Sequence, residues 1–400
     1  MRVLLINQCF YPDHVSSSQH LSDLALALKE AGHKVSVVAS SRGYDDPERR
    51  YPVREEWLGI DIHRIWTPGL GKKAKWRRFL DFGVFWLNAA RILLIMPRHD
   101  VTVCLTSPPL ISTLGTIITA LKGGKIVPWV MDLNPDEAVA AGWLKAGGLM
   151  ERVLTLLQNW SFSRAHRIIA LDRYMAERIE AKGVPKEIIR SMPPWSHDEH
   201  VRYNVAAREE FRAAHGLTDK FVVMYSGNHS PCHPLDTVLE GTLRLKDDVR
   251  VQFLFVGGGS EQQKVKRFKE EHGLNNITVL PYQPMDRLSG SLSSADMHLV
   301  VMGEAFVGIV HPCKAYNILN LGIPFVSMCP RPSHLSDVVD EVADESLACQ
   351  LSHGDADAFV YTVLLRVEGG PGVTSQRLRE HGARFGVAVM RPALVEAISE

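Results

Sequence analysis

Two stretches of the sequence place ionisable side chains directly after a run of apolar residues. Met131-Asp-Leu-Asn-Pro-Asp-Glu137 follows an apolar run that ends at Val130, and it carries three carboxylates. A carboxylate in such a loop can act as a general base or orient a substrate hydroxyl. The alternative role is structural, because Asp136 or Asn134 could cap a helix that starts here.

The second stretch is Gly308-Ile-Val-His-Pro-Cys-Lys-Ala-Tyr-Asn317. Pro312 favours the first turn of a helix, and we predict a helix over residues 311–320. His311 and Lys314 then share its N-terminal end, where free N–H groups, the helix dipole and a lysine attract an anion. A surface lysine beside a capping histidine is the alternative, but the position at a strand–loop–helix junction favours the anion site.

Two glycine-containing turns end predicted strands. Tyr225-Ser-Gly-Asn228 exposes backbone N–H groups ahead of a helix, which suits a phosphate, although a plain tight turn has the same composition. Phe255-Val-Gly-Gly-Gly-Ser260 has Gln262 where a dinucleotide fingerprint needs its third glycine. It therefore predicts a close backbone approach to a ligand, or only a turn. The sequence contains neither a Walker-type phosphate loop nor a GxSxG nucleophile elbow.

The histidines and cysteine between Asn228 and His233, together with His311 and Cys313, raise the question of a metal. Cys232 and His233 are adjacent, which is too close for the usual tetrahedral ligand pairs, and no matched second pair exists. We therefore expect no metal site.

A basic and aromatic segment lies in the first half of the chain. Five cations fall between Lys72 and Arg78, and an apolar, aromatic stretch follows as far as Met96. Asp81, Asn88 and Arg91 disfavour a transmembrane span. The composition fits two structures equally well. One is an interfacial helix with cations at anionic head groups and aromatic rings in lipid, and the other is a buried crossover helix with a basic cap.

Alternating strands and helices must position these stretches, and the alternation predicts an α/β fold with two doubly wound parallel-sheet domains. Ligands of such sheets bind beyond the carboxyl ends of the strands, here most simply in a cleft between the domains. The predicted strands are 2–7, 35–39, 61–66, 101–105, 125–130 and 167–170 before a Pro-containing linker at 191–196, and 221–225, 251–256, 277–280, 297–301 and 324–327 after it. Helices are predicted at 235–245, 261–272 and 311–320, with one or two more at 375–400.

Length and composition limit the classes of protein to which the chain can belong. The 400 residues suffice for two domains, and 46% hydrophobic with 22% charged residues excludes a disordered or fibrous chain. The 45 Lys and Arg balance the 45 Asp and Glu, which argues against a dedicated nucleic-acid binder. Six cysteines without a CxxC pair indicate reduced thiols, and the short apolar run near the N-terminus does not make a signal peptide. We expect a cytoplasmic protein.

Ten different short motifs are spread along nearly the whole chain. In the first half they are Phe10-Tyr-Pro12, His20-Leu-Ser-Asp-Leu-Ala25, Gly32-His-Lys-Val35, Thr106-Ser-Pro-Pro109, Asp132-Leu-Asn-Pro135 and Ile169-Ala-Leu-Asp172. In the second half they are Tyr225-Ser-Gly-Asn228, Val256-Gly-Gly-Gly259, Pro312-Cys-Lys314 and Gly322-Ile-Pro324. In their order and spacing these motifs resemble the GT-B glycosyltransferases of the family 4 type, closest to the WbuB-like branch that acts on lipid-linked acceptors.

The resemblance implies a GT-B fold of two Rossmann-like domains facing across a cleft. Residues 1–192 would bind the acceptor and residues 193–384 the nucleotide-sugar donor, with a C-terminal helix at about 385–400 packing back on the first domain. It also implies a retaining glycosyltransferase of class EC 2.4 that uses no metal or other cofactor.

The resemblance further implies roles for individual residues. Asp132 matches the acceptor-side carboxylate and, with Glu304 and Lys314, makes up the expected catalytic set. The turn at Gly227 and the segment 308–314 would hold the diphosphate, whose charge grows as it departs, and residues 280–283 would line the base. The expected donor-binding residues are Gly227, Asn228, His233, Gly257, Tyr282, Gly308, Ile309, Val310, His311 and Asn317, and the expected acceptor-binding residues are Ser16, Ser17, His20 and Ser107.

The sequence departs from the family pattern at the donor site. Asn228 and His233 stand where the family often has Arg and Lys. Ile309 and Asn317 stand where it often has paired glutamates, with Glu304 a nearby substitute, and Val15-Ser16 replaces the usual N-terminal Gly-Gly. His233, His311 and Lys314 are then the groups that would supply positive charge, and the charge of the histidines depends on pH.

We therefore expect transfer of a hexosyl or N-acetylhexosaminyl group to a lipid-linked or glycan acceptor in cell-surface polysaccharide biosynthesis. The enzyme would dock on the inner face of the membrane through Lys72–Met96, and no nucleic acid would take part. Two alternatives stay open: a sugar-nucleotide epimerase on the same fold, and a nucleotide-sugar-binding subunit without catalysis, which the missing glutamates would suit. The failed GxGxxG pattern disfavours a dehydrogenase.

Overall fold

The chain divides into two compact units. The computed structural model describes residues 1–13, 15–44, 46, 48–70, 75–196, 201–370 and 374–400. Unit 1 comprises Met1–Pro194, Gly308–His311 and Ala388–Glu400, and unit 2 comprises Trp195–Val307 and Pro312–Val387. Each unit is therefore assembled from segments that are distant in the sequence.

An eight-stranded sheet forms the centre of unit 1. Its strands are β1 (Arg2–Ile6), β2 (Lys34–Ser40), β3 (Arg54–Trp57), β4 (Ile60–Ile65), β5 (Val101–Cys104), β6 (Lys125–Val130), β7 (Ile168–Ala170) and β8 (Ile189–Ser191). The spatial order is β3-β4-β2-β1-β5-β6-β7-β8, and only the β3–β4 hairpin is antiparallel. The central strands are continuous apolar runs because helices cover both of their faces.

The helices of unit 1 connect these strands. They are α1 (Ser16–Glu30), α2 (Lys75–Ile95), α3 (Ile111–Lys122), α4 (Asp136–Ala140), α5 (Leu149–Ser163) and α6 (Arg173–Ala181), with a short 3-10 helix at Lys186–Ile188. Right-handed crossovers place α1 on one face of the sheet and α2, α3 and α5 on the other, since their connections run in opposite directions along it. On that second face α3 packs against both α2 and α5.

Unit 2 contains a six-stranded, fully parallel sheet. Its strands are β9 (Phe221–Asn228), β10 (Val251–Gly258), β11 (Ile277–Leu280), β12 (Met297–Val301), β13 (Phe325–Met328) and β14 (Ala348–Leu351), in the order β11-β10-β9-β12-β13-β14. Alternate residues of β9 enter separate apolar cores: Val223 and Tyr225 lie in one, Val222 and Met224 in the other. The sheet is therefore buried on both faces.

The helices of unit 2 are α7 (Val205–Ala214), α8 (Asp236–Arg244), α9 (Ser260–His272), α10 (Met285–Ser293), α11 (Lys314–Leu321), α12 (His334–Val342), α13 (Ala356–Glu368) and α14 (Gln376–Ala383), with a 3-10 helix at Glu304–Phe306. The last helix, α15 (Val387–Ser399), lies almost entirely in unit 1. There Arg167 donates to the carbonyl of Ala397 at 2.9 Å, and Arg391 pairs with Asp23 at 3.3 Å.

The structure confirms the predicted α/β class with two mostly parallel sheets. It differs from the sequence prediction at the helix expected over residues 311–320, because α11 begins only at Lys314. Ahead of it, Val310 forms an antiparallel bridge with Asp132, and the N–H of Leu133 donates to the carbonyl of Ile309 at 2.9 Å. His311 therefore does not share the N-terminal turn of α11 with Lys314.

Candidate functional site

In unit 2 the two glycine-containing turns pack directly on each other. In the β9–β10 ladder Gly227 lies opposite Gly257, and both have positive φ, at 129° and 136°. A Cβ atom on Gly257 would lie 2.0 Å from the carbonyl oxygen of Gly227, and one on Gly259 would lie 2.2 Å from that of His229. The second glycine cluster is thus explained by its approach to the neighbouring turn, and Gly227 is the residue that stays available to a ligand.

Lys314 lies beneath the Gly227 turn. Its Nζ is closed off from solvent and has no hydrogen-bond partner within the described parts of the chain. The atom lies 3.7 Å from the centroid of the Tyr225 ring, and a Cβ on Gly227 would lie 3.3 Å from it. Burial lowers the pKa of Lys314 to about 7. A phosphate at this turn would meet an amino group that no described residue pairs with.

The two histidines that follow the turn are neutral. His233 Nδ1 lies 2.7 Å from the carbonyl oxygen of Val301, and burial together with the charge of Lys314 lowers its pKa to about 3. His229 Nδ1 lies 3.0 Å from the carbonyl oxygen of Gly227, and the same two causes lower its pKa to about 4. The expectation that His233 supplies positive charge is therefore wrong, because a buried imidazole beside an ammonium group does not take up a proton near neutral pH. Lys314 carries the positive role here.

The remaining predicted donor residues of unit 2 surround the same strand ends. Tyr282 follows β11, its side chain is 57% exposed, and its hydroxyl lies 3.4 Å from the carbonyl oxygen of Gly258. Asn228 ends β9, and its carbonyl accepts the hydroxyl of Tyr225 at 2.8 Å. Asn317 lies in the first turn of α11 and is half-buried. Glu304 opens the 3-10 helix after β12 and is exposed.

Gln262 fills the place of the missing third glycine. Its side-chain amide donates to the carbonyl of Gly257 at 2.7 Å and to that of Leu280 at 3.2 Å. It thereby ties the turn after β10 to the end of β11. A side chain at this point blocks the close helix approach that a dinucleotide fingerprint needs, which agrees with the disfavoured dehydrogenase.

In unit 1 a pair of carboxyl groups follows β6. Burial and the neighbouring Glu137 raise the pKa of Asp132 to about 8, against a smaller opposing effect of Arg78. Burial also raises the pKa of Glu137, while a 3.1 Å hydrogen bond from Asn134 and the charge of Arg78 lower it. The pair therefore holds a proton near neutral pH, which suits proton exchange with a substrate hydroxyl.

The structure does not show the alternative role of this loop, in which Asn134 or Asp136 would cap a helix. The N-cap of α4 is Pro135, and no side chain caps it. The side chain of Asn134 donates to Glu137 instead, and Asp136 pairs with Lys182 at 2.9 Å. Of the three carboxylates in the sequence motif, one is neutralised by a lysine and two form the pair.

The predicted donor segment Gly308–His311 lies in unit 1, beside Asp132. Val310 bridges to Asp132, and Gly308, with φ of 68°, could not carry a Cβ because it would lie 2.6 Å from the carbonyl oxygen of Tyr174. His311 is buried, with its Nδ1 2.7 Å from the Asp172 carboxylate, which also caps α6. The Asp172 carboxylate therefore fixes the orientation of the His311 ring.

The predicted acceptor residues gather at the carboxyl ends of β1 and β5. Asn7 links the two loops, since its side chain donates to the carbonyl of Cys9 at 2.8 Å and accepts the N–H of Ser107 at 3.2 Å. Ser16 and Ser17 open α1, whose N-cap has no side-chain hydrogen bond. His20 lies one turn further along α1 and is buried. The structure thus brings these four residues to one edge of the sheet.

The helix after the basic run has an apolar outer face. Phe85, Ala89 and Leu93 pack into the core of unit 1, so α2 is a crossover helix. Six apolar side chains on its outer side are half or more exposed: Trp76, Phe79, Leu80, Leu87, Leu94 and Ile95. Arg77 and Arg91 of the same helix are also exposed. Lys72, Lys73 and the side chain of Lys75 lie outside the described residues. No helix within the described ranges has both the length and the apolar character needed to cross a membrane.

Sequence reasoning did not single out four side chains of these clusters. Glu137 was visible as one of three carboxylates, but its pairing with Asp132 was not. Arg78 was counted only as part of the basic run, although it acts electrostatically on both carboxyl groups. Tyr225 and Asp172 belong to motifs of the sequence analysis, but the contact of Tyr225 with Lys314 and that of Asp172 with His311 were not predicted.

The comparisons with known proteins cover both halves of the chain. Residues 17–195 match the glycosyl transferase 4-like domain, and residues 207–328 match the glycosyl transferases group 1. WcaI of Escherichia coli K12, named as a glycosyl transferase of colanic acid biosynthesis, is 24% identical over an alignment of 339 residues that covers 80% of this chain and 82% of WcaI.

Solved structures share the fold over the whole length. Sucrose-phosphate synthase from Thermosynechococcus elongatus has a TM-score of 0.78 at 15% identity, covering 99% of this chain and 98% of that one. Anabaena HepE, determined in complex with UDP-glucose, has a TM-score of 0.72 at 14% identity, covering 100% and 99%. With matching domain families in both halves and this shared architecture, the chain belongs to the GT-B glycosyltransferases of the family 4 type and is a glycosyltransferase of class EC 2.4.

Proposed function

We propose that this glycosyltransferase moves a hexosyl or N-acetylhexosaminyl group, with retention of anomeric configuration, from a nucleoside diphosphate sugar to a polyprenyl-diphosphate-linked glycan during synthesis of a cell-surface polysaccharide. The name of WcaI, which refers to colanic acid biosynthesis, supports the polysaccharide. The complex of HepE with UDP-glucose supports the class of donor.

The observation that carries the proposal is the unpaired ammonium group of Lys314 beneath the Gly227 turn. A nucleoside diphosphate gains negative charge as it leaves the sugar, and Lys314 at the positive end of the α11 dipole would stabilise that charge. We propose that this positive potential makes a divalent metal unnecessary. Tyr282, exposed at the end of β11, would stack on the base.

On the acceptor side we propose that Asp132 receives the proton of the attacking hydroxyl. Burial and the neighbouring Glu137 raise its pKa to about 8, so it exchanges protons at physiological pH. Ser16, Ser17, His20 and Ser107 would position the acceptor at the same sheet edge. Glu304 and Asn317 would contact the donor, and we assign them no proton-transfer role.

We propose that α2 docks the enzyme on the inner face of a membrane, where a lipid-linked acceptor lies. The apolar outer face of α2 would enter the head-group region while Arg77 and the neighbouring cations of the Lys72–Met96 segment meet anionic lipid. Neutralising the cations between Lys72 and Arg78 should then reduce the membrane-bound fraction, and a fraction that stays unchanged would contradict this part.

The first experiment is a thermal-shift panel with UDP, GDP, ADP and dTDP, each with magnesium and with EDTA. One nucleotide should raise the melting temperature to the same extent in both conditions, because a ligand that binds only the folded state stabilises it. Lys314→Met should abolish this shift, whereas the exposed Lys246→Met control should retain it. No shift with any nucleotide, or a shift that needs the metal, would contradict the proposed donor site.

Turnover separates the alternatives from the proposal. The transferase should form a glycosylated lipid only when a lipid-linked acceptor is present. An epimerase would instead change the sugar of the free donor without acceptor, and a binding subunit would bind donor with no product in either case.

A further inference from the structure

A second helix of unit 1 departs from the usual amphipathic arrangement. A helix on the surface of a soluble protein turns its apolar side inward and its polar side to water. The buried side chains of α5 are Gln158, Ser161 and Phe162, and the Ser161 hydroxyl lies 2.9 Å from that of Thr116 on α3. Two of the three side chains that α5 buries in the protein are therefore polar.

The outward side of α5 is apolar along its first three turns. Leu149, Val153 and Leu156 recur at helical spacing on one face, and Leu149 and Leu156 are 81% and 69% exposed. Met150 and Leu157 widen the same face, and Trp143 is exposed in the loop just before it. We refer to these six residues as the α5 face.

Cations border the α5 face. Lys145 precedes it, Arg152 lies within the helix, and Arg164 ends it, all three exposed. The guanidinium of Arg164 lies 5.9 Å from the centroid of the Trp160 ring. The only acidic residue of α5, Glu151, is half-buried and accepts the hydroxyl of Thr155 at 3.0 Å. A rim of arginine and lysine with aromatic residues around an apolar centre is the composition that anionic lipid surfaces bind.

The α5 face also lies on the same side of the unit 1 sheet as the outer face of α2. The two helices flank α3, which is recessed between them except near its end, where Leu121 is 67% exposed. Two apolar faces of one helical layer can meet a flat surface together. A second attachment of this kind raises the overall affinity without strengthening either one.

We propose that the α5 face is a second membrane-binding surface, which inserts into an anionic lipid leaflet together with α2. The inference rests on the membrane docking proposed for α2 and adds a separate set of residues to it. The occupant is the bilayer itself, because the cationic rim complements anionic head groups and the face continues the surface already assigned to lipid.

The test is partition of the purified full-length protein onto sedimenting vesicles of phosphatidylglycerol and phosphatidylcholine in equal parts, and of phosphatidylcholine alone. Leu149→Ser/Leu156→Ser should lower the partition coefficient on the anionic vesicles at least about tenfold, since two largely exposed leucines no longer enter the lipid. Arg152→Gln/Arg164→Gln should lower it by roughly tenfold on anionic vesicles and little on neutral ones.

A matched control uses exposed apolar residues of the other unit. Tyr361 and Leu365 on α13 are 68% and 55% exposed, and Tyr361→Ser/Leu365→Ser should bind vesicles within about twofold of wild type. Each variant should also keep the melting temperature of the wild type, which shows that the fold is intact.

A parallel α2 variant, Trp76→Ser/Phe79→Ser, separates the two proposals. If only this variant loses vesicle binding, the α5 proposal is wrong and docking through α2 stands. If only the α5 variants lose binding, docking through α2 is wrong. If sedimentation velocity shows a wild-type dimer that Leu149→Ser/Leu156→Ser dissociates, the α5 face binds a second copy and the lipid proposal is overturned.

Discussion

Two clusters of the molecule contain a buried ionisable group whose pKa is shifted, and the shifts have opposite directions. The Lys314 cluster of unit 2 consists of Lys314, Tyr225 and Gly227, and the Asp132 cluster of unit 1 consists of Asp132 and Glu137. Burial lowers the pKa of Lys314 to about 7, and burial with a neighbouring carboxyl group raises that of Asp132 to about 8. Another buried charge of the same protein, Asp296, is fully paired. The buried Asp296 accepts hydrogen bonds from Arg208 at 2.5 Å and from Arg212 at 3.1 Å. The fold neutralises Asp296 and leaves Lys314 and Asp132 incompletely compensated.

This difference indicates what each cluster lacks. An uncompensated buried charge destabilises the folded state, and such groups collect where a ligand or a reaction uses them. Among the described residues Lys314 Nζ has no hydrogen-bond partner, and Glu137 raises the tendency of Asp132 to hold a proton. The comparison predicts that an anion stabilises the first cluster, whereas the second matters during turnover.

The largest effect should come from Lys314→Met. It should reduce kcat/KM by about 100-fold or more, because the growing charge of the leaving diphosphate loses its main cation. Without nucleotide the same variant should melt at or above the wild-type temperature at pH 8, since the folded state no longer has to bury a lysine that loses its proton on folding. Steady-state kinetics and thermal melts check both halves, and a wild-type kcat/KM would refute the role of Lys314.

Asp132→Asn should lower kcat by about 100-fold while the nucleotide-induced thermal shift stays unchanged. The amide keeps the shape of the side chain but cannot receive a proton. Asp136→Asn is the matched control, because Asp136 belongs to the same loop and is paired with Lys182. If the two variants have the same kcat, Asp132 is not the proton acceptor.

The pH dependence of stability should have opposite signs at the two clusters. Between about pH 7 and 10.5 the unfolded chain holds the Lys314 proton and the folded chain does not, so Lys314 makes stability rise with pH. Between about pH 4 and 8 the folded chain holds the Asp132 proton and the unfolded chain does not, so Asp132 makes stability fall with rising pH.

Each slope reaches at most about 1.4 kcal/mol per pH unit inside its window. Urea unfolding of the wild type, Lys314→Met and Asp132→Asn at several pH values measures them. Lys314→Met should remove the rising slope and Asp132→Asn the falling one. A variant that leaves its slope in place would show that the proton belongs to another group.

The smallest effect should come from Tyr282→Ala, which raises the nucleotide Kd by about three- to tenfold because an exposed ring contributes stacking alone. Tyr282→Phe keeps the ring and should bind like wild type. Isothermal titration calorimetry with the preferred nucleotide distinguishes the two. A large loss with Phe would show that the hydroxyl, rather than the ring, binds the donor.

The sequence predicted the fold well because buried parallel strands leave continuous apolar runs. The runs at 125–130 and 297–301 correspond to whole strands, and the order of short motifs identified the family. Short edge elements such as β3 and β14 were missed, since Arg54–Trp57 has a single apolar residue and Ala348–Leu351 is only four residues long.

The sites were less predictable because protonation and pairing depend on residues far apart in the chain. The Asp172–His311 contact joins positions 139 residues apart, and the neutral state of His233 follows from burial beside Lys314. Neither fact can be inferred from the composition of the neighbouring sequence. The glycines at 257 and 259 were noticed, but only the packed turns show that they meet backbone.

The division of the chain also has a consequence for how the protein is made. Unit 1 includes the bridge from Val310 to Asp132 and the segment Ala388–Glu400, yet all eight strands of its sheet are translated within the first 194 residues. Domains usually fold in the order in which they leave the ribosome. Here the unit that is translated first receives its last segment, residues 388–400, only after unit 2 has been translated.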